Sequence, residues 1–286
     1  MKRIPLWISV SSVSLWWILG LVGCADRLFL FPSSEVRDHP SRHGYACVDL
    51  SIPNERGNKI TAWLVRAKVA RKGTVVIAHG NGGNMGGWLD YPFFLADAGY
   101  DAVLFDYQGY GNSEGSPRIS AIGGDVRALL KALRARSDVD TAHLALYGVS
   151  FGTAPSIVAA NRAGPVQALV LEGSYVPFRQ VYRTCGGCWP MWPAAWLLYE
   201  IVMPSDVDVE RELAALDAVP ALFISGEADR TTPVEGARAL YAIKKGDKEI
   251  WTPPGIGHVP EPLNGRFGVE YRKRVLAFLD RCLAKP

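Results

Sequence analysis

Ser150 lies in Gly148-Val149-Ser150-Phe151-Gly152, a G-x-S-x-G pentapeptide between two apolar runs, one ending at Tyr147 and one covering Thr153–Ala160. A serine set between glycines at a strand-to-helix turn projects its Oγ from the end of a sheet and leaves nearby backbone N–H groups able to bind an anion. A hydroxyl is a weak nucleophile at neutral pH, so it needs a base, and the base needs an orienting carboxylate. Of the five histidines, His258 alone follows the serine, in the loop Pro253-Pro-Gly-Ile-Gly-His258. Asp229 is the expected acid, in Gly226-Glu-Ala-Asp229-Arg-Thr-Thr-Pro233 directly after the apolar run Pro220–Ser225. Glu227 is the competing carboxylate, two residues nearer the strand, and is read as a loop or surface charge.

Nucleophilic acyl transfer also needs donors for a tetrahedral oxyanion. The run ending at Ala78 opens into His79-Gly80-Asn81-Gly82-Gly83-Asn84, whose glycines let N–H groups converge. The backbone N–H groups of Asn81 and Phe151 are the expected pair, and His79 is expected to be structural or to line the rim. A Gly-rich loop after a strand also suits phosphate binding. The chain has neither G-x-x-x-x-G-K-[ST] nor G-x-G-x-x-G there, so nucleotide binding is poorly supported. No cofactor and no metal are implied.

These residues must be carried by strands and helices. Short β-branched apolar runs predict strands at Ala46–Ile52, Ile60–Arg66, Thr74–His79, Ala102–Tyr107, His143–Gly148, Gln167–Glu172, Pro220–Ser225 and Glu249–Thr252. Between them, Val126, Leu129, Leu130 and Leu133 recur three and four apart and predict one buried face of a helix over Gly123–Arg136. A closing helix presents Tyr271, Val275, Phe278 and Leu279. Continuous apolar strands alternating with helices predict an α/β domain with a mostly parallel sheet covered on both faces. The first two strands lack a helix between them and are expected to pair as an antiparallel hairpin around Asn54–Asn58.

The order Ser150, Asp229, His258, the HGNGGN loop, the segment Phe105-Asp-Tyr-Gln-Gly-Tyr-Gly-Asn-Ser-Glu-Gly-Ser-Pro117 and the G-E-A-D-x-x-x-P stretch together resemble the α/β-hydrolase family. They are most similar to its branch of membrane-associated serine hydrolases, which includes esterases, lysophospholipases, depalmitoylases and serine-aminopeptidase-like enzymes. The resemblance runs from about Ala46 to Leu283. It implies an α/β-hydrolase fold with a mostly parallel eight-stranded sheet and a small cap insert, and a structural role for Asp106, Tyr107 and Gly109 to Gly111. It also implies cleavage of ester or thioester bonds in small or lipid-like acyl substrates. A peptidase or amidase with the same triad stays open, with Asp206, Asp208 and Glu210 as groups that could capture a substrate amine or simply begin a solvated helix. So does a non-catalytic binding lipoprotein on the same fold.

At 286 residues, 49% of them apolar, the chain can bury a large core, and its net charge of +3 offers no basic patch for nucleic acid. Lys2 and Arg3 precede an uncharged run, Ile4–Gly23, that ends in Leu21-Val22-Gly23-Cys24. This pattern describes an export signal. Its last four residues resemble a bacterial lipobox, which implies residues 1–23 as a signal peptide, a lipidated Cys24 and a membrane-held protein of the cell envelope, facing the periplasm or the exterior. An uncleaved signal anchor is the rival reading. Residues 24–45 are then expected to be a linker, and 46–286 the hydrolase domain with its cap at about 175–218. In that insert Cys185-Gly-Gly-Cys188 has the spacing of a local disulfide, a redox pair or half a zinc site, and the disulfide is preferred because nothing completes a metal site. The Trp-rich and Pro-rich stretch from Cys185 to Pro204 is expected to cap the active site.

Overall fold

The computed structural model describes residues 30–174 and 208–284. Cys24, the pair Cys185 and Cys188, Asp206 and the Trp-rich stretch lie outside the described residues.

In chain order the strands are β1 (Phe31–Pro32), β2 (Cys47–Pro53), β3 (Lys59–Val65), β4 (Gly73–Ala78), β5 (Gly82–Gly83), β6 (Tyr100–Phe105), β7 (Leu144–Val149), β8 (Ala168–Glu172), β9 (Ala221–Ile224) and β10 (Lys248–Trp251). The helices are α1 (Asp90–Asp97), α2 (Ile119–Arg134), α3 (Thr153–Arg162), α4 (Val209–Ala214), α5 (Val234–Ile243), α6 (Glu261–Asn264) and α7 (Gly268–Cys282). All eight expected strands form, within one or two residues of their predicted ends, and build one sheet in the order β10-β9-β8-β7-β4-β6-β3-β2. Every pairing in it is parallel except β2 with β3 and β3 with β6. The expected hairpin is closed by Asn54 N–H donating to the Asn58 carbonyl.

Strands β4, β6, β7, β8 and β9 are buried along their whole lengths, which is why they read as unbroken apolar runs. Side chains alternate between the two faces at period two, so each strand feeds two cores. Val76, Phe105, Leu144 and Leu146 join one core with Val126, Leu129, Leu130 and Leu133 of α2, Ile157 of α3 and Leu213 of α4. Val75, Ile77, Ala145 and Tyr147 join the other with Tyr91 and Leu95 of α1 and Tyr271, Val275, Phe278 and Leu279 of α7. Of the stretch expected as the cap, about 175–218, residues 175–207 lie outside the described residues, and Val209–Ala214 is α4, whose Glu212 accepts from Asn161 and Arg162 of α3.

Two features were not expected. β1 and β5 form a separate two-stranded parallel sheet, joining the stretch read as a linker to the Gly-rich loop after β4. Leu30 is 3% exposed and packs in the α2-side core. Among the described residues no helix is long and apolar enough to cross a membrane.

Candidate active site

β7 lies between β4 and β8 in the sheet, so the turn after β7 opens between the loops that follow its neighbours. In open α/β sheets such a crevice at the carboxyl ends of the strands is where ligands bind. Ser150 begins a short 3-10 turn, Ser150–Gly152, that leads into α3. With φ at 51° it is the one non-glycine residue at positive φ among the described residues. A left-handed non-glycine residue costs on the order of 1–3 kcal/mol and persists only where its surroundings hold it. Here the Thr153 hydroxyl donates to the Ser150 carbonyl at 2.7 Å, and the Ser156 hydroxyl to the Gly152 carbonyl at 2.7 Å. The glycines of the pentapeptide are required by contact. A Cβ on Gly152 would collide with the Ala78 carbonyl oxygen, and one on Gly148 would lie 2.6 Å from Thr153 Cα.

The structure brings the three expected side chains together. Ser150 Oγ is 2.9 Å from His258 Nε2, and His258 Nδ1 donates to Asp229 Oδ2 at 2.7 Å. Asp229 follows β9 and His258 follows β10, so three loops converge at the carboxyl ends of the strands. Asp229 also accepts from the N–H groups of Thr231 and Thr232, each at 2.8 Å, and from the Thr232 hydroxyl at 2.8 Å. Burial raises the Asp229 carboxyl, but hydrogen bonds from His258 and Thr232 outweigh it and hold the group below the usual carboxylate range. Glu227 points elsewhere, its carboxylate 3.6 Å from Arg238 on the surface. Thr232, which touches both the acid and His258 Nδ1 (3.1 Å), was not singled out from sequence, although it lies in the same stretch as Asp229.

The Gly-rich loop lies against the serine. A Cβ on Gly80 would stand 3.5 Å from Ser150 Cβ and 2.6 Å from the Trp88 ring. Tyr110 donates its hydroxyl to the Asn81 carbonyl and to Asn81 Oδ1, both at 3.1 Å. Tyr107 donates to the His79 carbonyl at 2.8 Å. His79 is fully buried, with Nδ1 2.7 Å from the Gly80 carbonyl and Nε2 3.2 Å from Asp106 Oδ1, so of its two expected roles the structural one holds. Asp106 in turn accepts from Met85 N–H at 2.7 Å. The Asp-Tyr-Gln-Gly-Tyr segment after β6 is therefore a clamp on the loop after β4. Phe151 is half-buried, its ring edge-on to Tyr107 at 6.2 Å.

Beneath the site, at the end of β8, Glu172 is fully buried and pairs across the sheet with Val149, the residue before the serine. Tyr147 donates to Glu172 Oε2 at 3.0 Å and Tyr271 donates to the same oxygen. Burial pushes this carboxyl up to about 7, against the lowering effect of Tyr271, Tyr147, Tyr91 and the nearby His258. Nothing in the sequence distinguishes Glu172 from a solvated strand end, because its partners come from β7 and α7. Asp208, one of the groups considered for amine capture, caps α4 by accepting from Arg211 N–H at 3.0 Å.

A family model described as serine aminopeptidase, S33, matches residues 69–208. An uncharacterized protein of Mycobacterium tuberculosis, Rv2307c, is 30% identical over 96% of this chain and 95% of its own. The α/β hydrolase domain-containing protein WAV2 of Arabidopsis thaliana is 27% identical over 96% of this chain and 92% of its own. Among solved structures, esterase Pf2001 of Pyrococcus furiosus superposes with a TM-score of 0.71 at 20% identity, covering 90% of this chain and 98% of its own.

Proposed function

The chain belongs to the α/β-hydrolase family represented by the serine aminopeptidase, S33, model, and from that premise we propose that it is a serine hydrolase cleaving carboxylic ester or thioester bonds of small or lipid-like acyl substrates. The observation that carries the reading is the continuous chain from Ser150 Oγ through His258 to Asp229, at 2.9 and 2.7 Å, with the serine held left-handed at the carboxyl end of β7. His258 Nε2 takes the hydroxyl proton as Oγ attacks the acyl carbonyl, and Asp229 stabilises the imidazolium that forms. Negative charge on the tetrahedral oxygen is met by the N–H groups of Asn81 and Phe151. Collapse expels the leaving group, which takes its proton from His258. Water, activated by the same imidazole, then releases the acyl group and restores the serine.

Labelling with a fluorophosphonate, read by intact mass and peptide mapping, tests the reading. A single adduct on Ser150, absent from Ser150→Ala, is expected, and loss of turnover in that variant should reach about 10⁶-fold. A folded chain that takes no label would sink it. The description of the matching family as aminopeptidases supports a second reading, an amidase with the same triad. Comparing acyl esters with aminoacyl amides separates the two.

The reading extends to location. Lipid on Cys24 would tie the protein to an envelope membrane, and acyl mass on a peptide beginning at Cys24 tests this. Phe31, only seven residues further on, pairs with the loop beside Ser150. Seven residues span at most about 25 Å, so such an anchor would keep the site close to the lipid surface, which favours lipid-like acyl substrates.

A further inference from the structure

The loop that carries Asn81 has glycines at positions 80, 82 and 83, and such a chain gives up more conformational freedom on ordering than any other. Its shape therefore depends on bonds supplied from outside. One set comes from Tyr110, on the segment after β6. The second comes from the N-terminal arm. β1 runs parallel to β5, with Phe31 opposite Gly82 and Pro32 opposite Gly83. Ser33 N–H donates to the Gly83 carbonyl at 2.8 Å, and Phe31 N–H donates to Asn81 Oδ1 at 3.3 Å. Asn84 Nδ2 donates to the carbonyls of Ser33 at 3.0 Å and Glu35 at 2.9 Å, while Gly111 N–H donates to the Ser33 carbonyl at 3.0 Å. The arm thus bonds to both the loop and the clamp that holds it. It is fixed to the body by Leu30, which is buried, whereas the Phe31 side chain is 62% exposed and contributes through its backbone.

We propose that residues 30–35 are a positioning element of the active site: by pairing with the Gly-rich loop, the arm aims the Asn81 N–H at the oxygen of the reacting carbonyl. The inference rests on the serine-hydrolase reading and adds a role in turnover to a segment that would otherwise serve only attachment. Oxyanion donors act by being fixed before charge develops, so a loop that drifts loses transition-state stabilisation while ground-state substrate binding is spared.

The test uses the full chain in detergent micelles with a short activated ester. Ser33→Pro removes the N–H given to Gly83 and keeps the Ser33 carbonyl. Ser33→Pro is expected to lower kcat about tenfold, a fraction of the loss for deleting a donor outright, with KM changed less than twofold. Fluorophosphonate labelling of Ser150 should slow by the same factor. Val269→Ala, at an exposed position on α7 outside the arm, should match the native chain. If Ser33→Pro lowers Tm or alters the far-UV spectrum, Phe31→Pro, which removes the N–H given to Asn81 together with an exposed ring, reads the same quantities beside Phe31→Ala, which keeps that N–H. Native kcat and labelling rate in the folded proline variant would overturn the inference alone. A native chain that never labels would overturn the serine-hydrolase reading and this inference with it.

Discussion

Asn81 is held from two directions, by the Tyr110 hydroxyl and by the N–H of Phe31, whereas His258 depends on Asp229 and Thr232 of a single loop. Behind Asn81 stand the fully buried His79, Asp106 and Tyr107. Behind His258 the support narrows to one carboxylate, itself fixed by the N–H groups of Thr231 and Thr232. On the proposed reading the oxyanion side is thus braced from separate elements of the fold, while the proton passes through one contact, between Ser150 Oγ and His258 Nε2, backed by one charge, that of Asp229. Redundant bracing degrades by degrees, while losing the one charge behind the imidazole stops the proton.

Paired substitutions can break that contrast. Asp229→Asn keeps the size of the side chain but removes the charge and can leave the imidazole in the wrong tautomer, so kcat/KM should fall about 10⁴-fold. Tyr110→Phe removes one brace from Asn81 and leaves the arm in place, so the loss should be about tenfold. Both are read as kcat/KM on one ester beside the native chain. Similar losses for the two variants would show that the oxyanion side has no redundancy, and the contrast would be wrong.

The same contrast accounts for how much could be read from sequence. Ser150 and Asp229 each follow an apolar strand and His258 is the one histidine after the serine, so position together with the residue types that the proposed chemistry needs singled them out. Five of the sheet's eight strands, β4, β6, β7, β8 and β9, were legible as unbroken apolar runs because they are buried on both faces. The braces were not. β1 and β5 are two residues each, too short to show any period, and β1 pairs across some fifty residues of sequence with a stretch of glycine. His79 and Asp106 were visible as motif residues, but their burial against each other depends on β4 and β6 being neighbours in the sheet. Tertiary proximity of this kind leaves no local signal.

Glu172 sharpens the comparison further, because it is a second carboxylate near His258 and its environment acts in the opposite sense to that of Asp229. Asp229 is lowered, so its contribution to stability is present above its ordinary value near 3.8 and is lost as pH falls further. Glu172 is raised from 4.5 to about 7, so the native state binds its proton more tightly than the unfolded chain does. Between those two values the unfolded chain has released the proton while the native state keeps it, and stability falls as pH rises through the window. Above about 7 both states are ionised, the slope vanishes, and the native state carries the cost of a buried charge. Glu172→Gln is neutral at every pH, and its amide oxygen can still accept from Tyr147 and Tyr271. The variant should therefore gain stability relative to the native chain between pH 5 and pH 8, by on the order of 3 kcal/mol, with the difference flattening above pH 8. Denaturant midpoints measured for both chains across that range read the effect directly. Two curves that stay parallel would mean that Glu172 takes no extra proton in the folded state, and that the tyrosines around it serve to hold an ionised carboxylate.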